Sequence, residues 1–298
     1  MALHIAVANR KGGVGKSTVS IMLAHAYAAW GGKRVLVVDL DTQCNASLIL
    51  LGGDGWLKAK NRAITIADYF FDLYDGAMPS TKDFVVPGAG DIDAAPGRPL
   101  PISLLVGSLL VEDVQGELFV REARQSSDPE TVGNRVRGKL KRLLTRFDPH
   151  ADVVIYDCAP GLSFAALAAL DAADLVLVPF RPDYVSQFAI DRISMLIEDR
   201  FHIDSVRAIP LDQRRYVTLP NFIRPSGPDR MLMQEVAAGH PMLGVEMPLN
   251  DDIARAFEWQ GERQSIEEKY GSGVGAVRAL YDAFSTAAER ARERRGRE

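Results

Sequence analysis

One eight-residue segment, Lys11-Gly12-Gly13-Val14-Gly15-Lys16-Ser17-Thr18, constrains this chain more than any other. It follows a short apolar run at 3–8 and opens a helical pattern that extends from Ser17 to about Trp30. Glycines let backbone N–H groups turn inward onto phosphate oxygens, and the helix N-terminus adds the positive end of its dipole. A lysine at position 16 serves the outer phosphates, and a serine hydroxyl at position 17 suits Mg²⁺. The segment therefore predicts a phosphate-binding loop whose contacts are Lys11, Gly12, Gly13, Val14, Gly15, Lys16, Ser17 and Thr18.

Buried strands alternate with helical segments along much of the chain, which predicts a parallel sheet. The first strand, the loop, the helix and a second apolar run at 35–39 form one βαβ unit. Further strands are predicted at 152–157 and 174–179, with weaker ones at 216–219 and 243–247, and helices at 184–200, 229–238 and 274–295. Together these segments predict an α/β fold, a doubly wound and mostly parallel sheet with helices on both faces.

Residues 52–150 interrupt this alternation. They contain Gly- and Pro-rich stretches at 87–90 and 96–99, followed by predicted helical segments near 101–125 and 131–147. The stretch shows no separate core, and no repeat of roughly 20–50 residues occurs in the chain. We therefore expect a single domain over 1–298 with an elaboration at about 52–150.

Composition narrows the class of protein. Of the 298 residues, 47% are hydrophobic and 25% charged, which is typical of a globular chain. No apolar run reaches the roughly 18 residues of a membrane helix, the N-terminus lacks a signal-peptide pattern, and two cysteines suit a reduced compartment. The net charge of -4 excludes a wholly basic nucleic-acid binder but allows a local basic patch. We expect a cytoplasmic protein that does not bind membranes.

Three acidic residues fall at the C-terminal ends of predicted strands, at the sheet edge where open α/β sheets bind ligands. Asp157 is placed to hold Mg²⁺ through water, Asp41 to orient an attacking water, and Asp39 to anchor the turn or the outer shell of the metal. The predicted metal set is Ser17, Asp41 and Asp157. No Asn-Lys-x-Asp guanine motif is present, which favours ATP, and Asn221 and Pro248 are candidates to flank the base.

The loop departs from the usual phosphate-loop pattern, because Arg10 stands where a glycine is expected and Lys11 is an additional lysine. This departure resembles the deviant Walker A motif of the ParA/MinD superfamily. The segments at 37–46 and 154–161 resemble its Asp-x-Asp-Pro-Gln-x-Asn and Asp-x-Pro-Pro landmarks, although Thr42 and Ala159 replace two usual prolines. Residues 52–150 match this family poorly.

The resemblance implies a homodimer that forms with ATP, in which Lys11 of each subunit reaches the phosphates bound by the other. It implies slow ATP hydrolysis that a partner stimulates, with Lys11, Lys16 and Asp41 as catalytic residues and ATP and Mg²⁺ as cofactors. Among the branches, ParA-type partition and positioning ATPases fit best. The tail carries no large apolar residue after Phe284 for a membrane anchor, cluster cysteines are missing, and no helix-turn-helix precedes the first strand.

ParA-type members bind DNA without sequence preference, through Lys and Arg contacts to phosphates. One basic stripe lies on a single face of the helix predicted near 131–147, and its members are Arg135, Lys139, Arg142 and Arg146. The other basic feature is the C-terminal tail, with Arg290, Arg292, Arg294, Arg295 and Arg297. Either feature also fits an ordinary solvated helix face. DNA binding through these residues predicts association with the nucleoid.

The leading functional interpretation is an ATPase that positions or segregates a plasmid, a chromosome or a large protein assembly. A ParB-like or cargo-adaptor protein would stimulate hydrolysis, and residues 52–150 would carry the partner-specific differences. The alternative is an ATP-gated regulatory switch without DNA binding, such as a cellulose-secretion accessory ATPase. A metabolic ligase of the same superfamily would need a substrate pocket beyond the phosphates, and no motif for one is present.

Overall fold

A computed structural model describes residues 1–74, 80–224 and 227–295, so that Arg297 of the predicted basic tail lies outside the described residues. Within these ranges, seven strands form one sheet in the order β3-β6-β2-β7-β1-β8-β9, and β4 and β5 form a separate two-stranded ribbon. All neighbours in the large sheet are parallel except β3, which runs antiparallel to β6. The predicted α/β class with a mostly parallel sheet is confirmed. The strands are β1 Leu3–Val7, β2 Val35–Asp39, β3 Val86–Pro87, β4 Asp93–Ala95, β5 Arg98–Pro99, β6 Ile102–Leu105, β7 Val153–Asp157, β8 Leu175–Phe180 and β9 Tyr216–Pro220.

Helices cover both faces of the sheet. Alternate residues of each strand point to opposite faces, so that Ile5 of β1 joins one apolar core while Ala6 joins the other. The first core also contains side chains of α1, α2 and α12, and the second contains side chains of α3 to α7. The helices are α1 Lys16–Ala29, α2 Asn45–Asn61, α3 Ile66–Tyr74, α4 Val111–Ala123, α5 Pro129–Leu144, α6 Phe164–Ala172, α7 Tyr184–Ile197, α8 Ile203–Arg207, α9 Gly227–Gly239, α10 Asp251–Arg255, α11 Ile266–Tyr270 and α12 Val274–Arg295.

The strand order brings the predicted site residues to one edge. In the register of the sheet, Val7 and Asp39 both lie opposite Asp157, on either side of it. The phosphate loop follows Val7 directly, so it starts beside the carboxyl ends of β2 and β7. This edge is where an open parallel sheet can accept a ligand.

Two secondary-structure predictions are wrong. The segment at 243–247 is not a strand, although the Leu243 and Met247 N–H groups each donate at 2.9 Å to carbonyl oxygens of β9, those of Thr218 and Pro220. These two donors are four residues apart while their acceptors are two residues apart, so the segment bulges away from β9 and forms no continuous ladder. The segment predicted as helical from 101 is instead β6 up to Leu105, and α4 begins only at Val111. A four-residue strand with three apolar side chains is too short to distinguish from a helix by periodicity.

Residues 52–150 contribute directly to the sheet and to both cores. They supply β6, which pairs with β2, and the edge strand β3. Their helices α3, α4 and α5 bury apolar side chains against the main sheet. A single domain over 1–298 stays a prediction. Among the described residues, none of the helices combines the length and the apolar character that crossing a bilayer requires.

Candidate nucleotide-binding site

The phosphate loop depends on glycine at two positions. Gly13 and Gly15 have φ values of 72° and 85°, in the left-handed region that L side chains rarely adopt. Any Cβ at Gly15 would also clash with the Asn221 amide and approach the Phe222 ring within 3.1 Å. The chain then enters α1 at Lys16, so that the N-terminus of this helix lies at the loop. The loop is thus shaped to present backbone N–H groups to an anion.

Lys16 lies buried under the loop, and its Nζ donates a hydrogen bond to the carbonyl oxygen of Lys11 at 3.3 Å. Burial lowers the pKa of Lys16, while the charges of Asp157 and Asp41 act in the opposite direction. A buried ammonium of this kind interacts strongly with an anion, because little water screens it.

The three predicted carboxylates lie together but differ in their partners. Asp39 is fully buried, and its Oδ2 accepts hydrogen bonds from the backbone N–H of Ser47 at 2.9 Å and from its hydroxyl at 2.6 Å. Asp41 accepts a bond from the Gln43 N–H at 2.9 Å and lines the pocket beside the loop. Asp39 therefore anchors the turn, as one of its two predicted roles requires, while Asp41 faces the pocket.

Asp157 has a carboxylate oxygen with no partner in the described part of the chain. Its Oδ1 accepts a hydrogen bond from Ser20 at 3.0 Å, whereas its buried Oδ2 accepts none. Burial, reinforced by the charge of Asp39, raises the pKa of Asp157, and burial likewise raises the pKa of Asp39. Buried carboxylates are generally paired with a charge or bound to a metal ion, and hard oxygen donors are what Mg²⁺ prefers. The free oxygen of Asp157 fits this ion, and the shared metal site of Ser17, Asp41 and Asp157 stays a prediction.

A pocket of about 440 Å³ lies over the loop, within the size range of ligand sites. Besides loop residues and Asp41, its wall contains two aromatic side chains, Phe222 and Phe257. The sequence reasoning missed both of them. Phe222 adopts φ 59°, an uncommon value for a non-glycine residue, but neither phenylalanine belongs to a recognisable motif. The wall also contains Ile49, which was missed, and Gln43, Asn45 and Pro160, which lie in the recognised segments at 37–46 and 154–161 but had no predicted role.

The two residues predicted to flank the base lie at the same edge, in different environments. The Asn221 amide is buried and donates to the carbonyl oxygen of Val14 at 2.9 Å, so this side chain holds the loop. Pro248 is exposed, and it lies beside Ile223 through the isolated bridge between them. Their contact with a base stays a prediction.

Lys11, the additional lysine, is turned toward its own chain. Its Nζ forms an ion pair with Asp183 and lies 3.5 Å from the hydroxyl of Ser186. Burial opposes the charged form of Asp183, yet hydrogen bonds from Lys11 and Ser186 lower its pKa below the ordinary value. The next turn of α7 is unusually apolar at the surface, since Tyr184 is 81% exposed and Phe188 is 72% exposed.

The predicted DNA contacts do not form a uniform basic surface. On α5, Arg135 and Arg142 are exposed, but Lys139 is paired with Glu122. Arg146, predicted on the same helix face, lies instead in the 3-10 turn after α5, half-buried beside Tyr69.

The basic tail lies at the opposite edge of the sheet from the phosphate loop. Arg292 of α12 donates to the carbonyl oxygen of Met1, which precedes the start of β1. In the same helix Arg290 is exposed and Arg294 is half-buried.

A phosphate loop with a buried lysine, at the carboxyl edge of a parallel sheet, defines the class of P-loop nucleotide-binding proteins. A family model described as an AAA domain matches residues 2–203 of the chain. The chain belongs to this family and to the ParA/MinD-type superfamily of P-loop ATPases.

Curated relatives agree with this assignment. The chain is 31% identical over 198 residues to the sporulation initiation inhibitor protein Soj of Bacillus subtilis, covering 66% of this chain and 64% of Soj. It is 29% identical over 257 residues to the chromosome partitioning protein ParA of Caulobacter vibrioides, covering 85% of this chain and 82% of that protein. The alignment with Soj thus spans a little less than two thirds of the length of that protein.

Solved structures share the fold. A putative plasmid partition protein from Borrelia burgdorferi bound to AMPPNP superposes with a TM-score of 0.65 at 15% identity, over 96% of this chain and 99% of that chain. A cobyrinic acid a,c-diamide synthase from Mycobacterium smegmatis with bound ADP and magnesium also gives 0.65, at 24% identity, over 96% and 94% of the two chains. At these identities the likeness shows the fold alone.

Proposed function

We propose that this chain binds and slowly hydrolyses ATP with Mg²⁺, and that the bound nucleotide switches it between a monomer and a homodimer. The observation that carries the proposal is the position of Lys11, at the rim of the phosphate loop and beside the exposed aromatic residues of α7. A cation held at a solvent-facing rim, rather than deep in its own pocket, suits a group that acts on a second subunit.

Each residue of the site has a proposed task. The loop N–H groups and Lys16 hold the phosphates, and the Asp41 carboxylate orients the attacking water. Magnesium, held by Ser17 with Asp41 and Asp157, would neutralise charge on the phosphate oxygens. Asp39 keeps Asp41 in place, because it accepts the Asp41 N–H at 3.2 Å and is itself fixed by Ser47.

The base would lie between aromatic side chains. Phe222 and Phe257 both line the pocket over the loop, and a purine ring stacks favourably on phenylalanine. Asn221 would support the site indirectly, because its hydrogen bond to the Val14 carbonyl oxygen fixes the loop. The relative from Borrelia burgdorferi bound to AMPPNP supports an adenine nucleotide.

Dimer formation would bury the aromatic start of α7. Tyr184, Val185 and Phe188 form an exposed apolar patch next to Lys11, and patches of this kind mark interaction surfaces. In the dimer, Lys11 would leave Asp183 and reach the phosphates of the other subunit, where it offsets the charge that develops during cleavage.

The ATP-bound dimer would bind DNA without sequence preference and so use the nucleoid to position a cargo. Arg135 and Arg142 of α5, with Arg290 and Arg294 of α12, are the proposed phosphate contacts. The chromosome-partitioning relatives support this role. A ParB-like or cargo-adaptor partner would stimulate hydrolysis and release the dimer.

One observation favours a second candidate, an ATP-gated interaction switch that binds no DNA. Lys139 is paired with Glu122 and Arg146 is half-buried, so half of the predicted basic stripe is engaged within the chain. The two candidates share the nucleotide site and differ only in the surface that the ATP-bound dimer offers.

The proposal is tested by measuring mass in solution by light scattering, with Mg-ATP, with Mg-ADP and without nucleotide. The Asp41→Asn variant should retain ATP and accumulate as a dimer, whereas Lys11→Gln should bind ATP and stay monomeric. A single mass in all nucleotide states for the wild type and for Asp41→Asn would contradict the proposal.

A further inference from the structure

A groove between α3 and α4, the α3–α4 groove, lies outside the nucleotide site. It encloses about 780 Å³. Its apolar lining includes Phe71, Leu110 and Val120, of which Leu110 is 56% and Val120 59% exposed. Its acidic lining includes Glu112, Asp113 and Glu117. The groove thus combines exposed apolar surface with charge of one sign.

The lining of the groove includes acidic residues but no basic one. Glu112, Asp113 and Glu117 form no ion pair and no side-chain hydrogen bond with the described residues. The first turn of α4 favours Glu112 and Asp113, since acids stabilise a helix N-terminus. Glu117 lies beyond that turn, four residues after Asp113, a spacing at which like charges repel. Arg121, four residues after Glu117, offers an attraction of similar size, so helix stability gives no net reason for Glu117.

A glycine forms the open floor of the groove. Gly116 lies inside α4, where glycine is less favourable than alanine. A Cβ at this position would meet no atom within 4 Å, so the fold of the chain does not require the glycine. One face of α4 thus combines a glycine inside the helix, the like charges of Asp113 and Glu117, and the exposed apolar side chain of Val120. Such local conflicts concentrate at functional surfaces.

We propose that the α3–α4 groove binds a short amphipathic helix of a partner protein, with leucine-like side chains on one face and lysine or arginine along its flanks. An apolar helix face packs against Phe71, Leu110 and Val120, and the absence of a side chain at Gly116 allows close approach. The unpaired carboxylates select a basic partner and reject an acidic one.

The groove is connected to both loops that surround the nucleotide site. Gly107, three residues before Leu110, donates its N–H to the Ser47 hydroxyl at 2.8 Å, and Ser47 holds Asp39. On the inner face of α4, Gln115 accepts the N–H of Ala165 at 2.7 Å, just after the turn that follows Asp157.

A helix bound in the groove would contact α4. Through these hydrogen bonds, a shift of α4 would be transmitted to the turns that follow Asp39 and Asp157. This consequence rests on the proposed function, because it makes the partner the one that stimulates hydrolysis. Docking itself does not depend on nucleotide.

Docking is measured with a synthetic probe in the absence of nucleotide. The probe is a fluorescein-labelled leucine–lysine peptide of about 14 residues, or four helical turns, and its leucine–glutamate counterpart is the peptide control. Binding is followed by anisotropy with the full chain. The groove variant is Glu112→Gln, Asp113→Asn and Glu117→Gln combined. The matched control neutralises three exposed acids elsewhere, Asp212→Asn, Glu235→Gln and Glu262→Gln.

We expect the groove variant to bind the leucine–lysine peptide at least about tenfold more weakly than wild type, and the matched control to stay within about twofold. Gly116→Lys should weaken binding similarly, and it should fold well because it raises helix propensity. Equal weakening in the groove variant and the matched control would overturn the proposal, because peptide binding would then depend on the net charge of the chain and not on the groove. Equal binding of the acidic peptide would also overturn it.

A second copy of the chain is the competing occupant. Nucleotide-free self-association that rises with protein concentration and disappears in the groove variant would assign the groove to that copy and overturn the assignment to a partner helix. Stimulation is measured separately, as ATP turnover at saturating peptide. A bound peptide that leaves turnover unchanged would overturn the link to hydrolysis, whereas a chain that binds the peptide but no ATP would contradict the proposed function and leave docking intact.

Discussion

Gly15 and Gly116 each adjoin or interrupt a helix, yet their surroundings are opposite. Gly15 has φ 85°, and any Cβ there would clash with Asn221. Gly116 lies in an ordinary helical position, and a Cβ there would meet nothing. The first glycine is required by the fold, while the second is tolerated by it. Contacts within the chain thus fix the phosphate loop, whereas no contact within the chain fills the space above Gly116 in the α3–α4 groove.

The largest expected effect comes from Gly15→Ala. The left-handed backbone and the clash with Asn221 should destabilise the fold by about 2 kcal/mol and weaken ATP binding about 100-fold. Urea unfolding and titration with a fluorescent ATP analogue measure the two effects. Gly12→Ala is the stability control, because Gly12 has no positive φ and no atom near its Cβ. Equal destabilisation by both variants would remove the distinction.

Asp41→Asn should lower the rate of ATP hydrolysis about 100-fold while leaving the affinity for ATP within about threefold. The amide keeps the size of the side chain but cannot accept a proton or orient the water in the same way. Steady-state turnover and equilibrium titration separate the two quantities. An unchanged rate would show that another group orients the water.

Replacing either partner of the Lys11–Asp183 pair should move dimerisation in opposite directions. Asp183→Asn keeps an oxygen for the N-cap of α7 but frees Lys11, so the protein concentration for half-dimerisation with Mg-ATP should fall about tenfold. Lys11→Gln should prevent dimerisation at the same concentrations. The pair would have no role in the switch if Asp183→Asn dimerised no better than wild type.

Charge reversal on α5 should distinguish the two candidate functions. Arg135→Glu combined with Arg142→Glu should weaken binding of the ATP-bound protein to DNA about tenfold and reduce the salt dependence by about two phosphate contacts. Arg290→Glu with Arg294→Glu tests the tail in the same assay. If neither pair changes DNA affinity, these basic residues are not the contacts.

The smallest expected effect is Gly116→Ala, which should stabilise the chain by about 1 kcal/mol. Its position in α4 fits alanine without strain or contact. Urea unfolding measures the change, which has the opposite sign to that of Gly15→Ala. A loss of stability would mean that a Cβ at position 116 does meet neighbouring atoms, contrary to the open space found there.

The fold could be predicted where the chain carries local signals. The loop glycines and the buried run Val35–Asp39 mark one βαβ unit, and the predicted α/β class is confirmed. The strand Ile102–Leu105 was missed because four residues after Pro101 are too few to show a periodicity of their own, and pairing with β2 decides their structure.

The candidate site could be predicted only as far as its motif extends. Asp41 and Asp157 follow strands near a phosphate loop, so their shared edge was foreseeable. The contacts of Asn221 with Val14 and of Lys11 with Asp183 join residues far apart in the chain, and Phe257 reaches the pocket through tertiary packing alone. Such distant contacts leave no local pattern in the sequence.

The central claim, an ATP-switched protein that binds DNA, is tested most directly by anisotropy of a labelled DNA duplex of arbitrary sequence. The titration is made with Mg-ATP, with Mg-ADP and without nucleotide, at two salt concentrations, and the Asp41→Asn variant is used to hold the ATP state. We predict binding only with ATP, weakened by salt as phosphate contacts require. Absence of binding in every state, with ATP-dependent dimerisation intact, would contradict the DNA-based account and leave the ATP-gated interaction switch.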